Sequence, residues 1–336
     1  MHIYDFSQCQ KNMRLLGRTV IDGGWFKCGM TASGFECNVH LNGTLTVRAS
    51  VTGLSGTFGV ILDDDFKGMQ VYRVGETPED VVIADLKGPH KIRIVKLNEY
   101  IKNTLIFERI TIDGDFLEPP EAKSLKLEFY GDSLTCGYGN LSPNREPPKD
   151  FCAEENGYLT YPSFLAQALD ADFSVAAASG FGILTNCAGD PKDIIDAYWN
   201  MALPLEQVKW DFTKYTPDLV FINMGTNDMN WARTTNTPID YDAFYKKLCW
   251  FADQIFARYP NCKLIATIGH DQSNAHYPTV KKAYTALTEQ YKNVYLIADL
   301  TSNQEGGDWH PSVADHRMIF EQLLDQLTEN HLVTAN

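Results

Sequence analysis

No uncharged apolar run in the 336 residues approaches the roughly 18 that a membrane-spanning helix requires. Residues 1–12 carry no apolar stretch behind a basic segment, so the chain as written reads as cytoplasmic. Positive charge is scarce as well: 29 Lys and Arg face 43 Asp and Glu, a formal net charge of −14. Such a surface repels phosphate backbones and anionic lipid head groups, which argues against nucleic acid or a membrane as partner. None of the eight cysteines (Cys9, Cys28, Cys37, Cys136, Cys152, Cys187, Cys249, Cys262) belongs to a CxxC pair, so they read as small buried hydrophobes rather than disulfides or a zinc knuckle. Metal and cofactor signatures are missing too. Asp63-Asp64-Asp65 lacks the twelve-residue calcium loop with its closing Glu. His270 and His276 have no Cys or carboxylate arrangement of a zinc site. Gly137-Tyr138-Gly139 lacks the third glycine of a dinucleotide fingerprint. The expectation is an enzyme or binding protein with no metal, no cofactor and no obligate protein partner.

What is present is ordinary globular composition, 44% hydrophobic and 12% aromatic, at a length that favours two domains. Leu45, Val47, Ala49 and Val51 alternate with polar residues at a period of two, which buries one face of a strand. Further strands are expected at 58–62, 69–74, 80–86, 91–97 and 104–112, separated by short turns at the spacing of a β-sandwich or jelly roll, with no convincing helix among them. Pro119 and Pro120 then hold the chain extended. This places a β domain at 1–118, a linker at 119–124 and a second domain at 125–336.

In the second domain strands expected at 125–130, 173–177, 219–223, 264–268 and 294–297 alternate with helices. Tyr161, Phe164, Leu165, Ala168 and Leu169 form one apolar stripe; Phe244, Leu248, Phe251 and Ile255 a second; Phe320, Leu323, Leu324 and Leu327 a third. The alternation predicts an α/β fold, a parallel sheet with helices on both faces.

Ligands of such sheets bind beyond the carboxyl ends of the strands. Four segments fall there. Gly131-Asp132-Ser133 would set a serine at the start of a helix, where free N–H groups favour an oxygen anion. Gly180, after the strand ending near Ala177, leaves a backbone N–H unobstructed. Asn227, in Gly225-Thr226-Asn227-Asp228, offers a carboxamide donor. His310, in Gly306-Gly307-Asp308-Trp309-His310-Pro311, can take a proton from a serine. Each alone also reads as loop or cap chemistry; all four in one order, after successive strands, read as a nucleophile, oxyanion donors and a base.

Together these segments resemble the four diagnostic blocks of the SGNH, or GDSL, hydrolases. LEFYGDSLTCGYGN at 127–140, KYTPDLVFINMGTND at 214–228 and the closing GGDWHP resemble the family 2 carbohydrate esterases, whose members carry a jelly-roll domain ahead of an SGNH catalytic domain. The resemblance implies Ser133 as nucleophile; the Ser133 N–H, Gly180 N–H and Asn227 side chain as oxyanion hole; and His310 as general base. Asp308 is the implied triad acid, although such enzymes commonly place it three residues before the histidine, where this chain has Gly307. A backbone carbonyl is the other implied partner of His310. The implied activity is that of a serine carboxylic-ester hydrolase, removing acetyl groups from acetylated manno- or xylo-oligosaccharides. A lipid or thioester acylhydrolase, or a glycan-binding protein, are the alternatives. The G-x-S-x-G elbow fits less well, because Thr135 stands where its second glycine belongs. Sugar rings present apolar faces, so Trp309, Trp231 and Tyr138 are the expected stacking residues.

Overall fold

In the computed structural model, which describes residues 1–269 and 271–334, two sheets of opposite character lie one after the other along the chain. His270 lies outside the described residues.

The first sheet has ten strands, its neighbours antiparallel. Its axis is the 18-residue strand Gly34–Val51. Residues 34–41 of that strand pair with Met13–Leu16 and Gly88–Lys96. Residues 44–49 pair with Glu79–Asp85, and the long Leu105–Phe116 strand follows both halves. One continuous strand therefore serves both leaves of the sandwich. Leu45, Val47, Ala49 and Val51 all point inward, as their period of two requires. Phe6, Phe26, Phe35 and Phe107 meet at the centre with ring centroids 5.1 to 6.3 Å apart, in tilted or edge-on pairs suited to their quadrupoles. The expected strands from residue 45 onward are present. Four short strands between His2 and Cys28, and a one-turn helix at Phe6–Cys9, precede them; at three or four residues each they leave too little periodicity to read.

The second sheet is parallel throughout, in the spatial order Asp172–Ala177, Lys126–Gly131, Leu219–Asn223, Lys263–Thr267, Val294–Ile297. The chain leaves its first strand for one edge and then crosses back, so the switch point lies at the carboxyl end of Lys126–Gly131, where a ligand crevice is expected. Helices Tyr241–Arg258 and Tyr277–Gln290 cover one face through Phe244, Leu248, Phe251, Val280 and Tyr284. Tyr161–Ala168 and Val313–Glu329 cover the other through Leu165, Leu323 and Leu327.

The segment between Phe116 and Lys126 contains no helix or strand, but the two halves it joins are not separate bodies. Ala32, Ile61, Val95 and Leu97 from the first half share one buried cluster with Leu127, Phe129 and Leu165 from the second. Arg18, fully buried, crosses the same boundary: Nη2 donates to Glu128 Oε1 at 2.8 Å and to the Tyr130 hydroxyl at 2.7 Å, and Nη1 to the carbonyl of Trp199 at 2.7 Å.

Candidate active site

Three adjacent strands of the parallel sheet end side by side, and each is followed by one of the expected residues. After Gly131, Asp132 caps a short helix by accepting the N–H of Leu134 at 3.1 Å, and Ser133 becomes its first residue. A first helical residue has no intrahelical acceptor for its N–H. After Ala177 the chain turns through Gly180 at φ +82°, a conformation that favours glycine. The N–H groups of Ser133 and Gly180 donate to no other described residue. After Asn223, Gly225 at φ +116° starts the helix Thr226–Thr235 that carries Asn227.

His310 comes from the far edge of the sheet. The loop after Val294–Ile297 runs back across the crevice and is tied down: Gly307 N–H donates to Gly139 O at 2.8 Å, Gly306 N–H to His310 O at 2.8 Å, and Asp308 N–H to Glu146 O at 3.2 Å. Asp315, near the start of the final helix, accepts the N–H groups of Asn303 at 2.7 Å, Glu305 at 3.0 Å and Ser312 at 2.9 Å. These bonds deliver the imidazole to the serine, with Nε2 and Ser133 Oγ 2.8 Å apart.

The other imidazole nitrogen fixes the tautomer. Nδ1 faces two carbonyl oxygens, Asp308 O at 3.0 Å and Gly307 O at 3.2 Å. Carbonyls only accept, so Nδ1 carries the hydrogen and Nε2 is left to accept the Ser133 hydroxyl. Burial disfavours the charged ring and holds the His310 pKa below its ordinary value, while the two carbonyls and the Asp308 charge oppose that shift.

Two expectations from the sequence require correction. The Asp308 carboxylate makes no hydrogen bond to His310 among the described residues. Asp308 and Trp309 both adopt left-handed backbone, φ +51° and +59°, which directs the Asp308 carbonyl to Nδ1 while its side chain lines the crevice. The imidazole is oriented by backbone. Trp231 does not line the crevice either; its ring packs against Gly189, where an added Cβ would meet it at 2.6 Å. Trp309 and Tyr138 do line it. Arg145 covers one face of the Trp309 indole at 4.4 Å, and the residue remains 56% exposed. Tyr138 packs on the His310 imidazole with centroids 4.7 Å apart.

The carboxamide of Asn227 is held from two sides, Nδ2 donating to Phe181 O at 2.8 Å and to Asp132 Oδ2 at 3.3 Å. Burial pushes the Asp132 carboxyl up to about 7 against the pull of the Leu134 N–H, with Asp228 adding to the rise. Asp228, one residue beyond Asn227, accepts the N–H groups of Ile183 at 2.8 Å, Leu184 at 2.7 Å and Thr185 at 3.3 Å. It thereby holds the loop that follows Gly180. Asp228 stands inside the GTND segment, but its service to a loop more than forty residues earlier has no signal in the sequence. The same is true of Asn230, Arg233, Asp271 and Ser273, which also line the crevice, Arg233 approaching Asp271 at 3.3 Å.

Ser133, Gly180, Asn227, His310, Tyr138 and Trp309 thus border one crevice of about 630 Å³, large enough for an oligosaccharide unit. A hydroxyl beside a neutral imidazole, with unpaired N–H donors next to it, is equipped for acyl transfer. A smaller cavity of about 240 Å³ between the two halves, beside Arg14, Phe66, Arg93 and Tyr158, contains no such pair.

The chain is similar to known proteins over most of its length. It is 29% identical over 318 residues to the cellulase/esterase CelE of Acetivibrio thermocellus, a match covering 90% of this chain and 37% of that protein. The chain therefore spans a little over a third of that relative. It is 28% identical over 264 residues to an acetylxylan esterase / glucomannan deacetylase of Cellvibrio japonicus, covering 72% of this chain and 70% of the relative. Among solved structures, a family two carbohydrate esterase from Clostridium thermocellum in complex with cellohexaose superimposes with a TM-score of 0.85 at 26% identity, covering 95% of this chain and 98% of that one. The GDSL-like lipase/acylhydrolase family matches residues 129–327, more than half of the sequence, and the chain belongs to that family.

Proposed function

We propose that the protein is a carbohydrate O-acetylesterase that removes acetyl groups from acetylated manno- or xylo-oligosaccharides through an acyl-enzyme. What carries the ester chemistry is the 2.8 Å contact between Ser133 Oγ and His310 Nε2, with Nδ1 already committed to two carbonyls. His310 takes the hydroxyl proton as Oγ attacks the acetyl carbonyl. The oxyanion receives the Ser133 and Gly180 N–H groups and the Asn227 amide, whose 3.3 Å contact with Asp132 is the one it replaces. His310 then protonates the departing sugar oxygen, and water repeats the sequence to release acetate.

The sugar class rests on the relatives, named as a cellulase/esterase and an acetylxylan esterase / glucomannan deacetylase, and on the crevice itself. Its walls bear Asn230, Arg233, Asp271, Ser273 and Asp308 beside Tyr138 and Trp309. Hydrogen-bonding groups beside exposed rings suit a pyranose and disfavour a long acyl chain. A second reading, binding of an unmodified glycan in the same crevice, is favoured by the similar structure that contains cellohexaose.

The test is acetate release from acetylated manno-, xylo- and cello-oligosaccharides by the wild type, Ser133→Ala and Asn227→Ala. The expected outcome is release by the wild type, none with Ser133→Ala, and turnover reduced about 100-fold or more with Asn227→Ala, the usual effect of losing an oxyanion donor. Tight glycan binding with no acetate release would leave the second reading; preference for octanoyl over acetyl esters would leave neither.

A further inference from the structure

The antiparallel half reaches the catalytic crevice through the turn after Gly88–Lys96, and one of its side chains touches both loops that form the oxyanion hole. Glu99 is fully buried. Its Oε2 accepts the backbone N–H of Ser179 at 2.7 Å, immediately before Gly180. The same oxygen lies 3.6 Å from Sγ of Cys136, the last residue of the short helix that Ser133 begins. The next residue, Tyr100, sets its ring edge-on to Phe181 at 6.3 Å, and Phe181 O is the carbonyl that holds the Asn227 amide. The turn is itself fixed: Lys96 Nζ donates to the carbonyls of Asn98 and Glu99, at 2.5 and 3.0 Å, and Glu99 N–H donates to Glu155 Oε1 at 2.6 Å.

We propose that Glu99 is a positioning residue for the oxyanion hole, by which the antiparallel half aligns the Gly180 N–H with the Ser133 helix. This rests on the acyl-transfer reading of Ser133 but not on the identity of the sugar. A buried carboxylate oxygen is an unusual anchor for a catalytic loop, because it must be desolvated to be there. Its other oxygen, Oε1, has no hydrogen-bond partner among the described residues, and burial pushes the carboxyl above its ordinary value. The Ser179 N–H and the Cys136 thiol both meet the same acceptor oxygen, Oε2, and glutamine can supply that oxygen. Displacing an oxyanion donor by an ångström weakens the transition state while leaving ground-state binding nearly untouched.

The experiment compares Glu99→Gln, Glu99→Asp and Glu99→Met with the wild type, each shown to be folded by circular dichroism. The readouts are p-nitrophenyl acetate hydrolysis and the rate at which a fluorophosphonate labels Ser133; neither requires a sugar. Glu99→Gln should keep kcat within about threefold. Glu99→Asp, which withdraws the acceptor by one methylene, and Glu99→Met, which removes it, should lower kcat and the labelling rate together by at least about tenfold, with KM within threefold. If Glu99→Met fails to fold, Glu99→Asp carries the comparison, because it keeps a carboxyl in the same site. A folded Glu99→Asp with wild-type kcat and labelling rate would overturn the proposal, as would a Glu99→Gln as impaired as Glu99→Asp. Wild-type activity on the phenyl ester without acetate release from any glycan would refute the sugar assignment and leave the Glu99 result standing.

Discussion

At the scale of single residues the site depends on the protonation of one imidazole. An imidazole can act as a base only when neutral, and burial lowers the pKa of His310 from the ordinary value of about 6.5. The sign follows directly: a depressed pKa keeps the ring neutral to lower pH, so kcat/KM should rise along an acid limb with its midpoint below about 6.5 and then level off. A pH profile on p-nitrophenyl acetate measures that midpoint, and one above 7 would contradict the burial argument. Asp308 supplies a control. Its charge favours the imidazolium, but only its backbone carbonyl bonds Nδ1. Asp308→Asn should therefore change kcat by less than about threefold and move the limb further toward acid, whereas removal of a bonded triad aspartate costs about 10⁴-fold. An intermediate loss of a hundredfold or more would show that the carboxylate does the orienting.

At the scale of elements, the working parts are loops whose shape is set by residues distant in sequence. The 183–185 segment hangs on the Asp228 carboxylate through three N–H donors. Asp228→Asn replaces one acceptor oxygen with a donor that opposes an N–H, which should cost about 1 to 3 kcal/mol of stability. The amides of 183–185 should then exchange with deuterium faster than those of the sheet, and exchange indistinguishable from wild type would refute this account. The same distance limits what a sequence reading can reach. Leu219–Asn223 and Val294–Ile297 are expected and observed at identical bounds, because runs of four or five residues bounded by polar turns have the length of a strand and are too short for a helix. The helix Tyr277–Gln290 goes unread because its buried Tyr277, Val280, Ala283, Tyr284 and Leu287 are interleaved with lysines and threonines that dilute the stripe. Ser133, Gly180, Asn227 and His310 are legible because each follows a strand of one sheet. Trp231 misleads because proximity in sequence to Asp228 says nothing of the side of the helix on which it lies. Glu99 is silent for the opposite reason, since its chemistry exists only after a β turn docks against a sheet formed later in the chain.

At the scale of the whole molecule, the question is whether the halves unfold together. The length and the proline-bearing segment at 117–125 suggest two independent bodies, but the buried surfaces argue otherwise. Ala32, Ile61, Val95 and Leu97 complete a core whose other members belong to the parallel sheet. Arg18 places a guanidinium from the first half against Glu128 and Tyr130 in the second, all fully buried. Interfaces of this kind resemble a domain core rather than the polar contact between mobile domains. Calorimetry should accordingly show one transition, not two. Removing one member of a buried pair strands the other charge without solvent, so Arg18→Met should cost about 3 to 5 kcal/mol, while replacing both partners with apolar side chains is often nearly neutral. Arg18→Met combined with Glu128→Leu should therefore recover most of the loss, and the transition should stay single in both variants. Two resolved transitions in the wild type would show that the halves are thermodynamically separate. A double variant no more stable than Arg18→Met would show that the guanidinium contributes through its bonds to the Trp199 and Met201 carbonyls rather than by neutralising Glu128.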